Sequence, residues 1–261
     1  MPHKKIDTAV VANTVLLSVK NLVKEYAVSA GRKRALDGIS LDIMQGEVLG
    51  LLGANGAGKT TLSSILGTFH PATSGDVIFD GRSIYDDVYR YRMQLGFCPQ
   101  RPNLDSKLTV RENLEFAARY YLQPMHAAQK RIDELMARFS LDKYASVFVE
   151  SLSGGYRQRL SIARALVHQP RIVILDEPTV ALDPHVRHSI WDSIRSLKAD
   201  GVTVILTTHY LDEAELLSDR LCILDKGKIL LLDTPDAVMK QYGHDKENLE
   251  DVFVRLLNDE A

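Results

Sequence analysis

The chain has 261 residues, of which 45% are hydrophobic and 25% charged, and its formal net charge is −2. These proportions are typical of a soluble globular protein and argue against a nucleic-acid partner, which normally requires a basic surface. Cys98 and Cys222 are far apart and lack metal-ligand spacing, so we expect reduced thiols in a cytoplasmic protein. The early apolar stretch AVVANTVLLSV is too short to span a bilayer, so any membrane role would come through a partner.

The predicted elements begin after a loose leader, residues 1–14. Strand-like alternation over VLLSVKNLVKEY and RALDGISLDI predicts two strands. The unbroken apolar run VLGLLG then predicts a strand buried on both faces. It leads into a glycine loop and a helix, KTTLSSILGTF, which is expected to end near Pro71.

From about residue 90 to 165 the hydrophobic periodicity becomes helical, which predicts an inserted helical subdomain. Within it, Thr109 and Glu112 have the spacing of a capping box. The next helix places four apolar residues on one face, as expected of core contacts: Ile132, Leu135, Met136 and Phe139. Strand–helix alternation then resumes, and a final apolar stripe predicts a C-terminal helix over 246–261. The whole pattern predicts an α/β fold with a helical insertion.

The segment GANGAGKT matches G-x-x-x-x-G-K-[ST] between a predicted strand and a predicted helix. Glycines permit the torsions that aim successive N–H groups at an anion, and the helix adds the positive end of its dipole. Lys59 would bring a charge to the β- and γ-phosphates, and the Thr60 hydroxyl would bind Mg²⁺. The predicted nucleotide-binding residues are Gly53, Asn55, Gly56, Ala57, Gly58, Lys59, Thr60 and Thr61. A glycine-rich turn with a stray lysine is the alternative.

Two further strands are followed by residues that suit phosphate chemistry. RIVIL ends in Asp176, which we expect to hold Mg²⁺ through water, and Glu177, which could orient and deprotonate an attacking water. His209 follows the strand VTVILTT. Parallel strands of such sheets end on the same side, so His209 is predicted near Glu177 and Lys59, within reach of a γ-phosphate. The alternatives are a solvated turn for the carboxylates and an ordinary strand-edge histidine.

A second anion site is predicted in LSGGYRQRL, far from the phosphate loop in sequence. Ser153 has the character of a helix N-cap, and Gly154 and Gly155 leave unencumbered amides behind it. An ordinary capped helix would explain the same pattern. Beside a phosphate loop, however, such donors could serve a γ-phosphate in place of an arginine finger.

Together these motifs resemble the ATP-binding subunit of an ATP-binding-cassette (ABC) transporter over about residues 15 to 240. They occur in the order GANGAGKTT, FCPQ, LSGGYRQRL, VILDEPTVALDP and TTHYLDEAE. The resemblance implies a P-loop NTPase core with a parallel sheet, an N-terminal antiparallel β subdomain and an inserted α-helical subdomain. It also implies one ABC ATPase domain over 15–245, with ATP and Mg²⁺ as ligands and an active ATPase.

The same resemblance assigns roles that the residues alone do not. It implies that Tyr26 stacks on adenine, that Gln100 senses Mg²⁺ and the attacking water, and that Asp183 contacts an opposite subunit. It further implies two ATPase subunits head to tail, with LSGG of one covering the ATP of the other. The pair would be a homodimer or a pseudo-dimer, held at the cytoplasmic face of the membrane by a separate integral membrane permease.

Alternatives for the function stay open at this stage. The segments NLEDVFVRL and PTVALDP resemble ATPase subunits of drug, polysaccharide or lipid exporters, whereas an importer ATPase is the alternative. Other classes are a soluble, non-transport ABC-type ATPase and a module that binds ATP without turnover. The intact Glu177 and His209 argue against the second of these. Tyr156 of LSGGYRQRL stands where many relatives carry Gln or a similar residue, which leaves one side-chain contact of this segment undecided.

Overall fold

The computed structural model describes residues 14–29, 31–243 and 247–258. The predicted leader, residues 1–14, therefore lies outside the described residues except for Thr14. Within the described residues the chain forms ten β-strands and nine α-helices, arranged as two sheets surrounded by helices.

The central sheet has six strands in the order β10-β9-β3-β8-β7-β6. Its strands are β3 (Val48–Gly53), β6 (Leu95–Cys98), β7 (Ile172–Asp176), β8 (Thr203–Thr207), β9 (Arg220–Asp225) and β10 (Lys228–Asp233). Strands β9, β3, β8, β7 and β6 run parallel, and β10 pairs antiparallel with β9. Every residue of β3, β7 and β8 is buried, because both faces of the sheet are covered.

The second sheet is antiparallel, has four strands in the order β2-β1-β4-β5, and confirms the expected N-terminal β subdomain. Its strands are β1 (Val15–Val28), β2 (Gly31–Met44), β4 (Ser74–Phe79) and β5 (Arg82–Ser83). The long strands β1 and β2 pair along their whole length, and Tyr26 lies opposite Lys33. This register brings both side chains to the end of the sheet that approaches the phosphate loop.

The helices of the described residues include the ones that the apolar stripes predict. They are α1 (Lys59–Leu66), α2 (Val88–Arg92), α3 (Val110–Tyr120), α4 (Met125–Arg138), α5 (Gly154–Ala165), α6 (Pro184–Ala199), α7 (Leu211–Leu217), α8 (Pro235–Tyr242) and α9 (Leu249–Asn258). Thr109 and Glu112 form the predicted capping box of α3. The four apolar residues predicted as core contacts on and after α4 are all buried.

Two sequence-based boundaries differ from the structure. Helix α1 ends at Leu66 rather than near Pro71, and Thr68 already has a φ of +61°. Residues 95–98 lie inside the stretch 90–165 that was predicted as helical, yet they form β6 of the parallel sheet. A run of four residues is too short for its periodicity to distinguish a strand from a helix.

The parallel sheet separates two hydrophobic clusters, because successive side chains of a strand point to opposite faces. On β7, Ile172 and Ile174 pack with α1 and the antiparallel sheet, whereas Val173 and Leu175 pack with helices α3 to α6. Side chains therefore pack on both faces of the sheet whose edge carries the candidate residues.

The C-terminal helix packs on a third cluster, formed by strand β9, helix α7 and helix α8. Its residues Leu249 and Val252 are buried there, with Phe253 and Leu256 partly buried beside them, as the apolar stripe predicts. Of the predicted range 246–261, residues 246 and 259–261 lie outside the described residues. No helix in the described part of the chain is long and apolar enough to cross a bilayer.

Candidate active site

Four neighbouring parallel strands carry the candidate residues to one edge of the central sheet. Strand β3 leads into the phosphate loop, β8 precedes His209, β7 ends at Asp176, and β6 precedes Gln100. These strands are adjacent in the order β3-β8-β7-β6. Because the carboxyl ends of parallel strands share one edge, the topology gathers segments that are far apart in sequence.

The phosphate loop needs glycine where it enters helix α1. Gly58 has a φ of +114°, and a Cβ atom there would lie 2.8 Å from Leu36 Cδ2 and 2.9 Å from Ala35 O. Both the torsion and the close approach therefore exclude a side chain. No side chain caps α1, so its first amide N–H groups stay available to an anion.

Lys59 is the first residue of α1 and is only 5% exposed. Its Nζ donates hydrogen bonds to Gly53 O at 2.6 Å and to Ala54 O at 3.3 Å. Burial lowers the pKa of Lys59, while the nearby Glu177 and Asp176 act in the opposite direction. A buried ammonium without a carboxylate in direct contact is well suited to an anionic ligand.

A cavity of about 220 Å³ lies over the phosphate loop. Tyr26, Lys59 and Glu177 all line it, so the antiparallel sheet, the loop and the end of β7 meet there. Lys33 also lines this cavity. No sequence motif marks this lysine, because only the β1–β2 register brings it there. A larger cavity of about 610 Å³, between β4, β5 and α2, contains none of the candidate residues.

Thr207, at the end of β8, bonds to Asp176 at the end of β7 and to Glu177, which follows it. Its Oγ1 donates to Asp176 Oδ1 at 2.5 Å, and the Glu177 N–H donates to Thr207 O at 3.0 Å and to Thr207 Oγ1 at 2.9 Å. Burial raises the pKa of Asp176, and the Thr207 bond opposes this effect. Glu177 has a left-handed φ of +47°. Such a torsion costs on the order of 1 kcal/mol for a residue with a side chain.

Residues that follow three different strands meet at Glu177 Oε2. Gln100 Nε2 donates to it at 3.0 Å, and His209 Nδ1 lies 3.3 Å from it. The Glu177 side chain is 15% exposed and that of His209 is 43% exposed, so the group borders solvent. Gln100 uses its amide nitrogen here, which leaves its carbonyl oxygen for another ligand.

The signature segment, residues 153–155, does not reach this site within the chain. Ser153 stands at the N-cap position of α5, but its hydroxyl makes no capping hydrogen bond, and Ser153 and Gly154 are exposed. None of the described residues 153–155 lines the cavity over the phosphate loop. Asp183, in front of α6, is also exposed and makes no side-chain cap bond.

The start of α5 is packed tightly on its inner side. A Cβ atom on Gly155 would lie 2.6 Å from Val186 Cγ1 of α6. Tyr156 packs against the Tyr144 ring, with ring centroids 4.2 Å apart, and the Arg159 guanidinium lies 5.2 Å from the Tyr156 centroid. Tyr156 therefore belongs to the packing of this helix start.

A family model described as "ABC transporter" matches residues 36–180, which is more than half of the chain. The chain belongs to the ABC transporter family. Within that family it is an ATP-binding subunit, and therefore an ATPase. The central parallel sheet with its phosphate loop is accordingly the P-loop NTPase core that the motifs imply.

Two relatives of this ABC subunit match most of its length. The Nod factor export ATP-binding protein I of Ralstonia nicotianae is 40% identical over 256 residues, covering 94% of this chain and 78% of the relative. The daunorubicin resistance ATP-binding protein DrrA3 of Streptomyces coeruleorubidus is 41% identical over 230 residues, covering 88% of this chain and 72% of the relative.

Two solved structures have the same fold as this ABC subunit. An ATP-binding subunit of an ABC transporter matches with a TM-score of 0.83 and 30% identity, covering 93% of this chain and 99% of that chain. The dimeric ATP-binding cassette MJ0796, in a post-hydrolysis state bound to ADP and Pi, matches with a TM-score of 0.77 and 30% identity. It covers 84% of this chain and 98% of that chain.

Proposed function

We propose that this ABC ATPase powers export of a substrate through a separate membrane permease. The names of the two relatives support the direction, since one is named for Nod factor export and the other for daunorubicin resistance. We assign residues 15–245 to one ABC ATPase domain, whose helical subdomain begins after β6, and 246–261 to the C-terminal helix. The subunit would lie at the cytoplasmic face of the membrane, held there by the permease.

The nucleotide would bind in the cavity over the phosphate loop. The loop residues 53–58 and the first amides of α1 would surround the phosphates, with Lys59 as the principal cation. Lys59 would exchange its carbonyl bonds for bonds to the β- and γ-phosphates. Tyr26 lines the same cavity at the end of the β1–β2 hairpin, where its ring could stack on adenine.

The oxygen atoms beside the cavity fit Mg²⁺, which prefers carboxylate, hydroxyl and amide oxygens. Asp176, the Thr60 hydroxyl and the Gln100 carbonyl oxygen would hold it, with phosphate oxygens and water as further ligands. Among the described residues no three His, Cys, Asp or Glu side chains form a metal-binding group by themselves. When bound, the ion would neutralise charge that develops on the phosphates.

The contact geometry of Glu177 is the observation that carries the catalytic assignment. Gln100 and His209 both contact its Oε2, and Glu177 also lines the nucleotide cavity. We infer that the carboxylate takes a proton from a water that attacks the γ-phosphate. Gln100 would hold the carboxylate and the water, and His209 would contact the γ-phosphate and keep Glu177 oriented.

Completion of the site would require a second ATPase subunit. Ser153, Gly154 and Gly155 offer an uncapped helix start, and none of them lines the nucleotide cavity of their own chain. The related cassette MJ0796 is dimeric, which supports a pair of subunits. We infer that the pair is head to tail, so that these donors face the partner's γ-phosphate. Asp183 would meet the same interface. The pair could comprise two copies of this chain or one copy with a close relative.

Exposed aromatic side chains on α3 and beside β6 suit a membrane partner. Phe116 and Tyr120 are one turn apart on α3 and largely exposed. Phe69, also exposed, packs edge-on against Phe97 of β6, the strand that leads to Gln100. A permease segment docked on Phe69 would lie beside β6, the strand that leads to Gln100. Loss of the γ-phosphate would then open the dimer and release the permease toward its other state.

A Glu177→Gln variant tests the proposed reaction. It keeps the shape of the side chain but removes the base, so we expect ATP binding to remain and turnover to fall about 100-fold or more. Phosphate release and equilibrium ATP titration measure the two quantities, with Glu215→Gln, at an exposed position of helix α7, as the control. Normal turnover in Glu177→Gln would contradict the assignment. Vesicle uptake or efflux assays with the co-purifying permease would decide between export and import.

A further inference from the structure

Glu213 of α7 is a completely buried carboxylate that lies outside the nucleotide cavity. Its Oε1 accepts a hydrogen bond from the Thr179 hydroxyl at 2.8 Å and another from the Trp191 indole N–H at 2.8 Å. A buried carboxylate is costly unless donors satisfy it. The steps of ATP binding and hydrolysis described above make no use of this group.

The two hydrogen bonds join the segments that follow the two members of the catalytic pair. Thr179 is two residues after Glu177, and Glu213 is four residues after His209. Trp191 belongs to α6, which lies beside α7. One carboxylate oxygen, Glu213 Oε1, therefore links the segment that follows Glu177 to the helix that follows His209.

Both donors to Glu213 are neutral, so the arrangement needs an acceptor oxygen at this place rather than a negative charge. Burial raises the pKa of Glu213, and the neutral polar side chains of Thr208, Thr179 and Trp191 oppose that effect. A glutamine amide has an oxygen in the same position and could accept both bonds. In this respect Glu213 differs from Glu177, which must be ionised to act as a base.

We propose that Glu213 is a positioning residue that sets the separation of Glu177 and His209 during ATP hydrolysis. Glu213 Oε1 bonds Thr179 to α7. The segment after β8 would therefore resist a shift of the segment after β7, and the reverse. The distance held in this way is the 3.3 Å between His209 Nδ1 and Glu177 Oε2. The proposal rests on the proposed function, since it needs Glu177 to act on water beside His209.

Three variants test this role in the transporter complex that co-purifies with the tagged chain. Glu213→Ala removes the acceptor, Glu213→Gln keeps it, and Thr179→Val removes one donor with little change of shape. Glu215→Ala, at an exposed position of the same helix, is the matched control. For each protein the measurements are the urea unfolding midpoint, the Kd for ATP, and kcat and KM for phosphate release.

We expect Glu213→Ala and Thr179→Val to lower kcat roughly 10- to 100-fold while ATP affinity is retained, since small misplacements of reacting groups have effects of that size. Glu213→Gln and Glu215→Ala should keep kcat within about twofold of the unmodified protein. The double variant of Thr179→Val with Glu213→Ala should be no slower than the slower single variant, because both changes break the same bond.

Several outcomes would overturn the role of Glu213. One is a normal kcat in Glu213→Ala or, where that protein does not fold, in Thr179→Val. Another is a loss of kcat accompanied by an equal loss of ATP affinity, as expected of a purely structural residue. Glu213→Gln as slow as Glu213→Ala would also count against it. Glu177→Gln is measured alongside: normal turnover there rejects the proposed function, whereas impaired turnover there with a normal Glu213→Ala rejects only the positioning role.

Discussion

The two segments of this ABC ATPase that are predicted to bind anions differ in how complete each one is within a single chain. The phosphate loop, residues 53–61, shares a cavity with Glu177; Lys59 is buried and Gly58 fits closely against Leu36, whereas residues 54–56 and Thr60 are exposed. The signature segment, residues 153–155, begins with two exposed residues and a serine hydroxyl that makes no cap bond.

This difference separates nucleotide binding from turnover. On the proposed assignment, one chain contains the groups that would surround a phosphate, so ATP affinity should be a property of the isolated subunit. The donors of the signature segment do not line the cavity of their own chain, so they should matter only in the assembled transporter. Substitutions in the two segments are therefore expected to differ in their effects on ATP binding and on ATPase activity.

The largest effect is expected from Lys59→Ala. The variant loses two charge-assisted hydrogen bonds to phosphate of about 1.5 kcal/mol each, which corresponds to about 100-fold weaker ATP binding. Equilibrium titration of the isolated chain measures this change. Lys198→Ala is the control, because that lysine pairs with Asp219 on the surface. Unchanged affinity in Lys59→Ala would reject the phosphate loop as the nucleotide site.

A smaller effect, confined to the assembly, is expected from Gly154→Asp. An added Cβ atom on Gly154 meets only Leu182 Cδ2, at 4.0 Å, and Gly154 is exposed, so the position has room for the Cβ atom. The isolated chain should bind ATP as before, but ATPase activity of the assembled transporter should fall roughly tenfold, because the carboxylate would repel the partner's phosphates. Weaker ATP binding by the isolated chain would mean that the signature acts within its own subunit.

The neighbouring Gly155 allows a matched comparison of stability. Gly155→Ala would place a Cβ atom 2.6 Å from Val186 Cγ1, and we expect this overlap to lower the free energy of unfolding by about 1 kcal/mol. Gly154→Ala has the space that Gly155→Ala lacks and should unfold at the same urea concentration as the unmodified chain. Equal midpoints for both variants would show that α5 can move away from α6 at no cost.

The smallest effect concerns pH and the contact between helix α5, which begins in the signature segment, and strand β6, which precedes Gln100. His168 follows α5, its Nε2–H donates to Leu95 O of β6 at 3.0 Å, and burial lowers its pKa to about 4. The unfolded chain has a histidine pKa of about 6.5, so it takes up a proton that the folded chain excludes. The stabilising contribution is present above that pH and is lost as pH falls toward 4.

Between about pH 7 and pH 5.5 this linkage should cost about 1 kcal/mol of unfolding free energy. Urea unfolding at both pH values measures the loss, and His168→Gln should remove it. Substitution of His185, which is exposed, should leave the pH dependence as it is. If His168→Gln retained the full loss, other groups would be responsible for it.

Much of the site could be predicted because each motif follows a recognisable strand. The phosphate loop, Asp176, Glu177 and His209 all stand directly after apolar runs, and parallel strands end at one edge. Thr207 could not be recognised, because its bonds to Asp176 and Glu177 exist only between paired strands. The strand β6 was hidden for a related reason, since four residues carry too little periodicity.

The amino-acid sequence alone determined the residue types and the order in which glycines, carboxylates and histidine follow the strands, because these depend on local torsions and chemistry. Only the tertiary structure decided which of them touch. The contact of Gln100 and His209 with one oxygen of Glu177, and the burial of Glu213 against Thr179 and Trp191, depend on strand order and helix packing. Such contacts join residues from different elements, and no spacing along the chain encodes their distances.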